Sequence, residues 1–293
     1  MKALFISLLA LNLLSLSFSE LCNPHDKQVL LQIKKHFGDP YLLASWLSDT
    51  DCCTSWNQVE CDATTNRIVS LRIFSGDLSG EIPAEVGDLP YLETLEFHKL
   101  TNITGPITPS ISNLIHLISL RLSNLNLTGP VPDSLSKLKN LRVLTLSFNS
   151  LSGSIPSSLA LMPEIDILEL DRNNLTGPIP ESFGNFAGRV PGDASMLFGP
   201  NKTSGSVDLS RNLLEFNLSK VVFPNTLTYL DVNHNKIFGS IPTQMTQLNH
   251  LSLNVSYNRL CGQIPQGGQL QTFDYTAYFH NRCLCGAPLA SCK

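Results

Sequence analysis

The sequence predicts an α/β solenoid, a right-handed superhelix of short stacked coils, and three observations carry that expectation. The stretch from Leu141 to Pro156, LRVLTLSFNSLSGSIP, is answered 24 residues later by Ile165 to Pro180, IDILELDRNNLTGPIP. A glycine followed two residues on by Ile-Pro or Val-Pro recurs at Gly80, Gly129, Gly153, Gly177, Gly239 and Gly262, and in weaker form at Gly105, where Thr108 stands in for the proline. The eight cysteines flank the repeating region, with Cys22, Cys52, Cys53 and Cys61 before it and Cys261, Cys283, Cys285 and Cys292 at its end.

Both phrases fit L-x-x-L-x-L-x-x-N-x-L-x-G-x-I-P, the spacing of leucine-rich repeats, whose period is about 20 to 29 residues. Each position has a mechanical reason. Leu144 and Leu146 alternate with outward residues, as a short strand with one buried face requires, and Asn149 turns the chain while its amide bonds free backbone groups. Leu151 and Ile155 close the core behind the strand. Gly153 accepts positive φ and Pro156 fixes φ at the bend toward the outer side, where the motif forms a plant-type outer strand. One such coil buries almost nothing alone, so the 293 residues gain stability by stacking along one axis, with the inner strands forming a parallel concave sheet.

Taken in order, residues 1–19 read as a secretory signal: Lys2, an apolar run from Ala3 to Leu16, and small residues at Ser17 and Ser19. That run is shorter than the ~20 apolar residues a span needs, and no later segment is long or apolar enough for a transmembrane helix. Residues 20–67 read as an N-terminal cap. Its helix runs from His25 to Phe37, with Val29, Leu30, Ile33 and Phe37 on one face, Asn23 and Pro24 at the start and Gly38 at the end. Trp46 and Trp56 suit the covering of the first coil.

The array occupies residues 68–265, with coils beginning at Ile68, Leu92, Leu117, Leu141, Ile165, Ser204, Leu227 and His250. Six of the seven steps are 23 to 25 residues and one, from Ile165 to Ser204, is 39. The array is therefore irregular at residues 189–203. Val190 opens no ladder, because Asp193 and Ser195 occupy positions that call for leucine, and burying them unpaired would cost up to several kcal/mol. The expectation is eight inner strands, with the strand around Leu168 paired directly to the one around Val207. Residues 266–293 read as a C-terminal cap that draws Cys261 from the last coil. In a secreted chain an even cysteine count argues for disulfides. Each group of four permits three pairings, and the simplest sequential one is Cys22–Cys52, Cys53–Cys61, Cys261–Cys283 and Cys285–Cys292. Neither group has the CxxC pair or spaced His of a zinc site.

At this level of detail the chain resembles a known family. The opening ELCNPHDKQVLLQIKKHFGDP, the pair Cys52 and Cys53 ahead of Trp56, the run SVDLSRNLLEFNLSKV from Ser206 and the ending NVSYNRLCGQIPQGGQLQTFDYTAYFHNRCLCGAPLASCK look like those of the polygalacturonase-inhibiting proteins of plant cell walls. The resemblance covers Glu20 to Lys293. It implies a secreted defence protein whose concave face blocks fungal endo-polygalacturonases, with association to pectin in the wall. It also exposes a departure, since such proteins look to have about ten coils. Part of the central repeats is missing here.

The residues between the ladder leucines describe the face a partner meets. The central column is Arg72, Glu96, Arg121, Thr145, Glu169, Asp208, Asp231 and Asn254, and Asp166 and Asp171 add to an acidic second half. Arg172, Arg211, Lys236 and Arg259 lie nearer its edge. Such a face steers a positively charged partner and sets its orientation; the same charges would also serve a merely solvated surface. Phe74, Phe148, Tyr229 and Tyr257 are outward by register and suit interface anchors, or stack on one another. The partner-binding set is thus Arg72, Glu96, Arg121, Thr145, Phe148, Asp166, Glu169, Asp171, Asp208, Tyr229 and Asp231. Exchanging Glu169, Asp208 and Asp231 for amides is expected to slow association and leave the thermal transition nearly unchanged. Six N-x-[ST] motifs mark glycan acceptors at Asn102, Asn126, Asn174, Asn201, Asn217 and Asn254. The last lies on the concave strand, where a glycan would compete with a bound protein.

Net charge of −4 with 15% charged residues gives no basic face for nucleic acid. The pairs Asp166/Glu169 and Asp208/Asp231 have glycosidase chemistry in principle, but an open sheet has no walled cleft to separate their pKa values. The seven histidines are scattered, and neither H-E-x-x-H nor G-x-S-x-G occurs. The expectation is a monomeric, non-catalytic binder with neither cofactor nor metal. The alternative function is a soluble module for a receptor ectodomain or peptide in development or signalling, or for direct contact with pectin through Arg72, Arg121 and Arg142 or with ice through polar ladder residues.

Overall fold

The computed structural model describes residues 21–177, 205–223 and 225–292. The signal at 1–19, the irregular stretch 189–203 and the acceptor Asn201 lie outside the described residues.

Apolar residues at every third to fourth position build the cap helix Pro24–His36, which buries Val29, Leu30 and Ile33 against the first coil. Asn23 starts it by accepting from the backbone N–H groups of His25 and Asp26, and Pro24 fills the first turn, where no donor is needed. Asp26 is almost wholly buried, and its carboxylate is satisfied three ways. It accepts from Arg67 Nε at 2.8 Å, from Arg67 Nη2 at 2.7 Å and from the backbone N–H of Ile68 at 2.9 Å. That bidentate pair ties the cap to the first inner strand. Trp46 and Trp56 stack with centroids 5.5 Å apart, and the Trp46 indole donates to the Asn57 carbonyl.

Eight parallel inner strands follow: Ile68–Phe74, Thr94–His98, Ser119–Ser123, Val143–Thr145, Ile167–Glu169, Ser206–Asp208, Tyr229–Asp231 and Ser252–Asn254. A ninth strand, Val59–Cys61 of the cap, pairs antiparallel with the first. Three residues with one buried position are too short to announce a strand by pattern. This edge strand covers backbone groups that the end of a parallel sheet otherwise exposes.

Across the 39-residue step the sheet is continuous. Ile167, Leu168 and Glu169 pair with Ser206, Val207 and Asp208, and on the outer side Thr176 and Gly177 pair with Leu213 and Leu214. The asparagines at the turn hold the coils together. Asn149, Asn173, Asn212, Asn235, Asn258 and Asn281 each donate to a carbonyl of the preceding coil and accept a backbone N–H from it. The residue before each of these asparagines takes a left-handed turn, with φ between 51 and 56° at Phe148, Arg172, Arg211, His234, Tyr257 and His280.

The outer strands form a six-stranded sheet from Gly80–Glu81 to Leu213–Leu214 and a three-stranded one from Phe238–Gly239 to Cys283–Cys285. The break falls at the coil that lacks the G-x-I-P motif. At Gly153 φ is +78°, which only glycine adopts without strain. The cysteines pair as Cys22–Cys52, Cys53–Cys61, Cys261–Cys283 and Cys285–Cys292, so each end closes on itself. At the C-terminal end Tyr278 takes a core position, wholly buried, and its hydroxyl donates to the Leu270 carbonyl at 2.8 Å. No described helix is long and apolar enough to cross a membrane.

Candidate functional site: the concave face

Strand register turns the central column into one continuous row. Arg72, Glu96, Arg121, Thr145, Glu169, Asp208, Asp231 and Asn254 sit opposite one another in that order, one per strand. Because all eight strands are parallel and unshifted here, neighbouring members stand about 4.8 Å apart. The row divides by chemistry. Arg72, Glu96 and Arg121 alternate in sign, and Arg72 pairs with the exposed Glu60 at 3.1 Å. Glu169, Asp208 and Asp231 then place three carboxylates on consecutive strands.

Two residues expected on the open face are buried. Thr145 is 5% exposed, because its short side chain lies between Arg121 and Glu169 and its hydroxyl donates to Glu169 Oε2 at 3.1 Å. Asp171 is 7% exposed, beyond the end of its strand, where the chain turns inward toward Asn173; Arg172 Nε lies 3.6 Å from its carboxylate. Asp166 is on the face but carries little free charge, since Arg142 Nε donates to it at 2.8 Å. Its expected share of the acidic half is therefore small.

The carboxylates that remain are in an unusual electrostatic position. Burial pushes the Asp208 carboxyl up to about 6, with Asp171 and Asp231 adding repulsion against a bond from the Ser210 N–H. Burial also raises Asp231, although Asn233 and Asn254 donate to it. The Tyr229 hydroxyl is driven up to about 12 by burial and by the surrounding carboxylates. Asp208 and Asp231 shift in the same direction, whereas an acid–base pair needs its two members pushed apart. The pair therefore lacks the divergence that acid–base catalysis uses. The one cluster among the described residues with metal-ligand closeness is Cys22, Cys52 and Cys53, and all three are in disulfides.

Beside the acidic row, two residues earlier on each strand, run Val143, Ile167, Ser206 and Tyr229. All four are partly exposed. Sequence reasoning passed over Val143 and Ile167; the available signal was that this column reads Ser70, Thr94 and Ser119 on the first strands and turns apolar at the centre. Apolar side chains flanking carboxylates give a partner both an anchor and a desolvated charge.

The rim carries the left-handed residues. Arg172 lies over the Phe148 ring at 4.4 Å, and Tyr257 stacks between His234 and His280 at 4.0 and 4.5 Å. Phe74 meets His98 edge-on. Of the glycan acceptors, Asn102, Asn126 and Asn174 are exposed at or beside the start of outer strands. The Asn217 amide oxygen is engaged by Ser219, and Asn254 is engaged on both sides, by Asp231 and by Ser256.

These features define a leucine-rich repeat protein with a charged concave face and two disulfide-closed ends. The description Leucine rich repeat N-terminal domain matches residues 23–62 and Leucine Rich Repeat matches 116–138, 140–162, 164–186 and 226–248. A polygalacturonase inhibitor of Pyrus communis is 64% identical over 99% of this chain and 98% of its own length, and one of Vitis vinifera is 61% identical over 94% and 93%. The chain belongs to the polygalacturonase-inhibitor family. The match to the Pyrus communis protein runs over 323 residues against the 293 of this chain, in keeping with a shortened array. Among solved structures, a plant ice-binding protein shares 48% identity with a TM-score of 0.65, covering 93% of this chain and 98% of its own. Membership of an inhibitor family speaks for a non-catalytic protein.

Proposed function

We propose that the protein is a secreted plant defence protein that inhibits fungal endo-polygalacturonases by docking its concave face against the enzyme's substrate cleft. The observation that carries this is the row Glu169, Asp208 and Asp231 beside Val143, Ile167 and Tyr229 at the centre of an unbroken sheet. It matches a partner with a cationic surface, and a cleft that binds an anionic polysaccharide is cationic by necessity. Continuity across the 39-residue step supports the reading despite the missing coils, because the shortening removes length without opening the surface. The remaining assignments are part of the same proposal: Arg72, Glu96, Arg121 and Phe148 as peripheral contacts, glycans on exposed outer acceptors, extracellular placement in the cell wall, secondary contact with pectin, and a monomer. The central row is charged and not a hydroxyl array, which favours a protein partner over ice.

The test is enzymatic. Purified protein mixed with a fungal endo-polygalacturonase should reduce the release of reducing ends from polygalacturonate in a saturable way. Undiminished release at a large molar excess, across enzymes of several isoelectric points, would move the protein to the alternative of a module for a receptor ectodomain or peptide.

A further inference from the structure

Glu169, Asp208 and Asp231 face one another on three adjacent strands, and like charges directly opposite across a sheet repel. Among the described residues no salt bridge reaches any of the three. Asp208 is faced by Glu169 and Asp171 from the strand before it and by Tyr229 and Asp231 from the strand after it. The nearest cations turn elsewhere: Arg172 lies over Phe148 and beside Asp171, and the charge of Arg211 bears on the His234 ring. The row ends in groups that donate to it, the Thr145 hydroxyl and the Asn254 amide. Ser206 and Tyr229 stand beside Asp208 and Asp231 on the same strands, and the partial burial of both aspartates limits how far water relieves the repulsion.

We propose that this row is a proton-linked gate on the concave face: in mildly acidic solution the free protein holds a proton between the facing carboxylates of Asp208 and Asp231, and a cationic partner binds by expelling it to solvent. The proposal rests on the reading that a cationic protein docks here. With Asp208 raised to about 6 and Asp231 raised in the same sense, part of the row is neutral near pH 5. A partner's lysine or arginine favours the ionised form, so binding draws the proton off. Affinity then rises with pH up to roughly neutrality and levels off, with a limit of tenfold per pH unit for one proton. The gate makes inhibition strongest where the surroundings are least acidic.

The experiment measures binding of endo-polygalacturonase by calorimetry at pH 5, 6 and 7 and fixed ionic strength, in two buffers of different ionisation enthalpy. It compares the native protein with Asp208→Asn and, should that variant fold poorly, Asp231→Asn. Native affinity should rise about tenfold from pH 5 to pH 7 with net proton release, and the variant should lose most of both. Equal slopes in native and variant, or no difference between buffers, would overturn the gate, because titration of the enzyme itself is common to both. Should the enzyme not bind at any pH, the reading of the face fails separately. The carboxyl titration of the free protein by carbon NMR then decides the proton-holding step: a midpoint above pH 5 for Asp208 or Asp231 supports it, and midpoints near 4 for both overturn it.

Discussion

Replacing Asn212 by alanine should cost roughly 1 to 3 kcal/mol of stability, because its buried amide bonds across the 39-residue step beside the backbone bonds of the sheet. Its amide is 5% exposed and donates to the carbonyls of Leu170, Leu209 and Ser210 at 2.9, 3.2 and 3.1 Å while accepting from the Leu175 N–H at 3.1 Å. Alanine leaves the buried Leu175 N–H without its acceptor, while the Leu170 carbonyl keeps the bond from Asn173, and an unsatisfied buried group costs about 1 to 3 kcal/mol. In a regular part of the array both neighbouring coils share such a loss. Here the preceding coil is joined to Asn212 across the irregular 39-residue step, so the array should lose cooperativity at this joint as well. Urea unfolding followed by circular dichroism and by tryptophan fluorescence checks this. Both tryptophans, Trp46 and Trp56, are in the N-terminal cap, so the two signals should separate in the variant. Coincident transitions shifted by less than about 0.5 kcal/mol would mean that apolar stacking alone carries the joint.

Changing Glu169, Asp208 and Asp231 to Gln, Asn and Asn should slow association with the enzyme by about ten- to a hundredfold at low ionic strength, and should raise the melting temperature at pH 7. The two effects have opposite sign for one reason. An acid whose folded pKa lies above its unfolded value is a cost to the fold once ionised. For Asp208, at about 6 against the ordinary 3.8, that cost is present above pH 6 and gone below about 4. The shift corresponds to at most roughly 3 kcal/mol, and partial exposure brings it to about 1 to 2. The sequence alone suggests a nearly unchanged thermal transition, and the partial burial of Asp208 and Asp231 makes a higher one the expected result. Association that is unchanged in low salt would remove the row from the interface.

What the sequence made legible was whatever depends on period. The ladder leucines, the outer glycines and the direct joining of the strands around Leu168 and Val207 follow from a spacing that tolerates little else. Burial within the exposed columns was not legible, because it depends on the size of the neighbours. Thr145 and Glu169 occupy equivalent positions in their coils, yet one is covered and the other is partly open. The free charge of Asp166 was likewise overestimated because its partner Arg142 comes from the preceding coil. Val143 and Ile167 were missed for the opposite reason, since a β-branched residue on a strand attracts no notice until its column is seen beside the carboxylates.

The central claim is that the middle of the concave sheet grips the enzyme. Hydrogen–deuterium exchange of the protein alone and with saturating endo-polygalacturonase tests it most directly. Peptides covering residues 143–147, 167–171, 206–210 and 229–233 should exchange more slowly in the complex, with the outer strands at 126–129 and 150–153 unaffected. Protection confined to those outer strands, with the four inner segments unchanged, would contradict it.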